Sequence, residues 1–138
     1  MKGRVAMMVA ALWWGSLTTL GFLVVPMLFA HLPTLAQAGG MAAKLFSAHT
    51  WVSLACGMLL LVIFRSTEDD SAVKSTSSEV GLAAAAMLVA LLVEFGIAPR
   101  IVAREHLKLW HSAGSALYGL QWICTGLLLW RLARHRTP

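Results

Sequence analysis

Four apolar stretches separated by short polar links set the pattern of this chain. They run from Val5 to Leu32, Met41 to Phe64, Val80 to Pro99 and Leu109 to Trp130. A helix rises about 1.5 Å per residue and a bilayer's hydrocarbon core is about 30 Å thick, so each stretch is long enough to cross. The pattern predicts helices over residues 5–32, 41–64, 80–99 and 109–130. The breakers of Pro33–Gly40 make the first link. The second is the hydrophilic loop Arg65–Glu79, mixed in charge and rich in serine, with Ser78-Glu79 opening the next helix. The third is Arg100–Lys108. Links this short make successive helices antiparallel neighbours. The expected fold is therefore all-α, an integral membrane four-helix antiparallel bundle forming one transmembrane domain over residues 1–138. Lys2 and Arg4 before the first run, with Ala36-Gln37-Ala38 after it, have the form of a secretory signal. The run is too long for a signal's apolar region of roughly 7–15 residues. Pro26 predicts a kink near the outer end of the first helix.

Composition agrees. Hydrophobic residues make up 59% of the chain and charged ones 12%, with mean hydropathy +0.75. A soluble domain is about half apolar and about one quarter charged, so this chain has too little charge to cover a water-facing surface. The net charge of +5 comes from basic residues at segment ends, not from a stripe. That distribution points to the lipid bilayer as partner and excludes nucleic acid. One side holds Lys2, Arg4, Arg65, Lys74, Arg131, Arg134 and Arg136, and the other Lys44, Arg100, Arg104 and Lys108. The positive-inside rule then puts both termini in the cytoplasm, with the cell (inner) membrane as the expected location. Cys56 and Cys124 lie within apolar runs and read as small buried hydrophobes.

The two hairpins resemble each other. Phe22 to Pro26 matches Phe95 to Pro99 in spacing, and Lys44-Leu45-Phe46 matches Lys108-Leu109-Trp110. HTWVSLACG, from His49 to Gly57, matches HSAGSALYG, from His111 to Gly119. Such a repeat would relate two hairpins about an axis along the membrane normal. Ser53-xxx-Gly57 and Ser115-xxx-Gly119 are small-xxx-small patterns that predict close helix packing.

Candidate chemistry collects at the predicted outer side: His31, His49, Glu94, His106 and His111. Two neutral imidazoles facing each other suit a transition metal or haem iron, so His49 and His111 are the candidate cofactor ligands, with haem b or copper as cofactor. Glu94, His31 and His106 are further candidate metal ligands. The plainer reading makes the histidines packing groups that bond across helices. Met27 and Met41 are the methionines near this cluster, and the seven methionines read as apolar filling. No phosphate-binding loop, GxSxG, HExxH or paired carboxylates occur, and the links are too short for an external catalytic domain, so an enzyme is not the expectation.

WWGSLTTLGFLVVPMLFAHLP followed by AGGMAAKLFSAHTW resembles the transmembrane protein 205-like family, small four-helix membrane proteins long classed as a domain of unknown function. The residues that carry the likeness are Trp14-Gly15, Gly21 to Pro26 with Phe29, Ala38-Gly39 and Lys44-Leu45-Phe46. It extends over most of the chain and is best in the first two helices. The resemblance implies membrane residence and topology, and no reaction. In plan the chain is also distantly similar to copper-resistance D membrane proteins and to histidine-bearing haem-biosynthesis membrane proteins. Two functions remain in view. One is binding or handling of a transition metal or haem at the outer His/Glu cluster. The other is a non-catalytic membrane subunit or small transporter, with a homo-dimer or a membrane complex as its assembly.

Overall fold

The computed structural model describes residues 2–66 and 73–134. Four helices account for nearly all of them. Helix α1 comprises Lys2–Thr19, a widened π turn at Leu20–Val24, and Val25–His31. Helix α2 is Leu35–Arg65. Helix α3 comprises Val73–Leu91, a second π turn at Leu92–Ile97, and Ala98–Val102. Helix α4 is Leu107–Arg134. The rest of the Arg65–Glu79 loop and the end of the basic tail lie outside the described residues.

Contacts between the helices fix the topology. Lys2 donates from Nζ to the Ser66 carbonyl at 2.9 Å, and Ser16 meets His49, so α1 and α2 are antiparallel. Ser47 meets Glu94 while Gly57 faces Met87, which sets α2 against α3. Arg100 meets Trp110 and Ile97 faces Gly114, which sets α3 against α4. Tyr118, Trp122 and Gly126 of α4 meet Gly21, Thr18 and Trp14 in descending order and close the ring on α1. The core comes from one stripe of each helix: Ala6, Ala10, Trp13 and Leu17; Cys56, Leu60 and Phe64; Ala83 and Ala86; Leu128 and Leu132. The four- and three-residue spacing in α1 is the helical period that brings one face inward.

Among the described residues three helical segments, Lys2–His31, Leu35–Arg65 and Ser77–Val102, are long and apolar enough to cross a membrane. This is an all-α integral membrane bundle. The sequence pattern predicts a fourth span in α4. That helix has the length, but Tyr118, Gln121, Trp122 and Thr125 lower its hydropathy, and Gln121 and Thr125 face the core. The boundaries of all three links also shift, and α3 begins at Val73, upstream of the start expected at Ser78-Glu79. The predicted link Pro33–Gly40 shrinks because Thr34 caps α2: its hydroxyl accepts from the Gln37 N–H at 3.2 Å. His49 consequently lies four turns inside α2, not near its start. The third link tightens to a turn with Arg104 and His106 at positive φ, 58° and 38°.

The predicted kink at Pro26 takes the form of a π turn, and Pro99 has the same. The residue before each proline bonds five positions back: Val25 N–H to the Leu20 carbonyl, Ala98 N–H to the Val93 carbonyl. Proline lacks an N–H and its ring crowds the carbonyl four residues earlier, and a widened turn relieves that crowding. The same register in α1 and α3 is a structural echo of the Phe-to-Pro spacing in the two hairpins.

Candidate functional site: a buried polar ring around His49

The polar side chains that the bundle draws together belong to α1, α2 and α4. Trp13 and Ser53 are fully buried, Gln121 is nearly so, and His49 is half-buried among them. Ser53 is the hub. Trp13 Nε1 and Gln121 Nε2 both donate to its Oγ, each at 3.0 Å. His49 Nδ1 lies 3.3 Å from the same oxygen, and His49 Nε2 lies 2.9 Å from Ser16 Oγ. Ser16 in turn donates to the Trp13 carbonyl at 2.8 Å.

The donor inventory settles every direction in this ring. A serine hydroxyl offers two lone pairs and one hydrogen. Two N–H donors occupy Ser53's lone pairs, so its hydrogen goes to His49 Nδ1. His49 is then the neutral tautomer carrying hydrogen on Nε2, which donates to Ser16. The ring starts at the Trp13 indole and ends at the same residue's carbonyl. Nitrogen NMR of the imidazole is expected to show this tautomer, with Nδ1 as the unprotonated atom. A spectrum with hydrogen on Nδ1 would reverse the ring's direction.

The other predicted site residues lie elsewhere. His31, His106 and His111 are exposed. His31 Nδ1 sits 3.0 Å from the Met27 carbonyl of its own helix. Glu94 is half-buried in the α3 π turn and accepts from Ser47 Oγ at 2.6 Å. No group of three or more His, Cys, Asp or Glu side chains that could hold a metal ion occurs among the described residues. The two echoing patterns also differ in setting. Ser53 is fully buried and Gly57 faces Met87 and Trp13, whereas Ser115 is exposed and a Cβ on Gly119 would meet nothing within 4 Å.

Three members of the ring were not singled out as site residues by sequence reasoning: Trp13, Ser16 and Gln121. Gln121 carried the available signal, as an amide inside an otherwise apolar run. Around the ring the helices meet through aromatics. Tyr118 donates to the Leu17 carbonyl at 2.7 Å, and Phe46 meets its ring edge-on at 5.2 Å. Trp122 donates to Thr18 at 2.8 Å and lies against Trp14 at 5.5 Å.

A family model described as Domain of unknown function (DUF4149) matches residues 8–109. The chain belongs to this family. The match takes in α1, α2 and α3 and stops at the beginning of α4, so the DUF4149 region holds Trp13, Ser16, His49 and Ser53, while Gln121 lies beyond it. No curated protein and no solved structure matches the chain.

Proposed function

We propose that this DUF4149 protein is a non-catalytic integral membrane subunit in which the His49 ring locks α1, α2 and α4 together. The observation that carries this reading is the closure of the ring. Every hydrogen-bonding atom of the His49 ring and of Ser53 is used. The ring terminates in an indole, an amide and a main-chain carbonyl, none of which exchanges protons at ordinary pH, so it leads a proton nowhere. In hydrocarbon, groups satisfied this way add specificity to helix association.

The second reading, a transition metal or haem held by His49 and His111 with Glu94, His31 and His106 nearby, demands an imidazole lone pair. His49 has one, on Nδ1, and Ser53 occupies it. Ligation would turn the Ser53 hydroxyl away while it still accepts from Trp13 and Gln121, and His111 would have to enter from an exposed position. The geometry favours the lock. With it we place the protein in the cell (inner) membrane with both termini cytoplasmic, from the charge distribution, and as a subunit of a homo-dimer or a larger membrane complex. The resemblance to transmembrane protein 205-like proteins fits the same reading, since it implies residence without a reaction.

The test is spectroscopic and analytical. The protein purified in detergent is expected to show no Soret band and no stoichiometric copper, iron or zinc, before or after incubation with haem or each metal. His49→Ala is expected to lower its unfolding midpoint. A Soret band lost in both His49→Ala and His111→Ala would replace the lock by a bis-histidine haem site.

A further inference from the structure

The two π turns have the same backbone register and different fillings. In each, the bond from the residue before proline to the carbonyl five back sets the register, and the next carbonyl along would take its hydrogen from the proline nitrogen. Proline has none. The carbonyls left without that donor are those of Gly21 in α1 and Glu94 in α3.

In α1 the break is covered by protein. The Tyr118 ring lies against Gly21, its Cε1 2.6 Å from where a Cβ would stand, and its hydroxyl donates to the Leu17 carbonyl one turn below. In α3 the corresponding position is itself acidic. Glu94 lies within the membrane-crossing segment Ser77–Val102, and the residues between it and Arg100 carry no charge. Among the described residues it accepts one hydrogen bond, from Ser47, and no Lys, Arg or His pairs with it. Arg100, on the same helix, is stacked over Trp110 at 4.2 Å.

A carboxylate in hydrocarbon without a cationic partner is costly, and such residues mark ion or proton sites. Ser47 donates to one carboxyl oxygen at 2.6 Å, and the other is left to accept a positive charge from outside the chain. The ligands on hand are all hard oxygens, which exclude soft metals. Their total charge of one favours a single positive charge, since a divalent ion would leave a net charge buried. Main-chain carbonyls exposed at a broken helix are the groups that coordinate such ions in membrane transport proteins.

We propose that the Glu94 carboxylate, the Ser47 hydroxyl and the main-chain carbonyl of Glu94 bind an alkali cation at the α3 break. The site is separate from the His49 ring and stands or falls without it. Binding to the folded state alone raises stability by mass action. In detergent, the unfolding midpoint of the wild-type protein is expected to rise by several degrees in sodium or potassium chloride over choline chloride at equal ionic strength. The rise is expected to vanish in Glu94→Gln and to shrink in Ser47→Ala. Should Glu94→Gln fail to fold, equilibrium binding of labelled sodium to the wild-type protein gives the direct measure, with one ion per chain displaced by potassium. The proposal is overturned if choline, sodium and potassium act alike on the wild type and no labelled ion binds. That result would mean that Glu94 serves only to hold α2 against α3 through Ser47.

Discussion

Trp13→Ala is expected to remove about 3–5 kcal/mol of stability, the largest effect of any single truncation in the bundle. Trp13 is a large side chain with no exposure at all, and it stands where α1 meets α2 and α4. Two losses combine. The indole vacates a volume that Gly57 and Leu17 cannot fill, and Ser53 loses one of its two N–H donors. In a bilayer the transfer part shrinks, since lipid tails are as apolar as the core, and the lost van der Waals contacts remain. The result should therefore fall at the lower end of the range in lipid. Trp13→Phe separates the two losses: it keeps most of the ring volume and removes the N–H, at a cost of about 0.5–2 kcal/mol. Trp51 supplies the control, being 64% exposed, and Trp51→Ala should stay within about 0.5 kcal/mol. Denaturant titration in mixed micelles measures all three. Equal effects at Trp13 and Trp51 would mean that the α1 stripe is not the core.

The helices were legible because a bilayer demands long uninterrupted apolar runs, and hydropathy along the chain reports those directly. Link one is shorter than its composition implies, for a local reason. Gly39-Gly40 and the neighbouring alanines read as a turn, but Thr34 caps the helix upstream, and packing of Ala38 and Ala42 holds the glycines in helical form. That shift moved His49 from the rim to mid-helix depth. The sequence showed His49 as a polar residue in an apolar setting; it could not show what would face it. Ser16 and Gln121 reach the ring only through the register of α1 and α4 against α2, and register is a tertiary property. The π turns were legible only as prolines. Sequence supplies the missing N–H, but the widened turn, rather than a simple kink, is one of several ways to relieve the clash.

The repeat also has limits that chemistry explains. His49 with Ser53 and His111 with Ser115 match in spacing, yet the first pair points into the bundle and the second lies exposed. Matching spacing guarantees that two residues share a helical face; it does not say which neighbour covers that face. The matching parts that do agree in structure are backbone features, the five-back bonds before Pro26 and Pro99. These begin from the proline's missing N–H and need no particular side-chain partner, so they agree where the side-chain surroundings differ.

Glycine makes this divergence measurable. Gly57 and Gly119 occupy the same place in the two copies of the pattern. Gly57→Ala is expected to destabilise the protein by about 1–3 kcal/mol, because the added methyl would overlap the Met87 thioether and come within 3.2 Å of Trp13. Met87 can turn aside, but the fully buried Trp13 ring cannot, so the strain passes to α1 as well as α3. Gly119→Ala adds a methyl in open space, and it gains about 0.5–1 kcal/mol from the lower helical cost of alanine. The two variants thus have opposite signs, measured as shifts of the unfolding midpoint under identical detergent conditions. Equal destabilisation by both would show a second close contact at Gly119, supplied by another subunit, and would make α4 the assembly face.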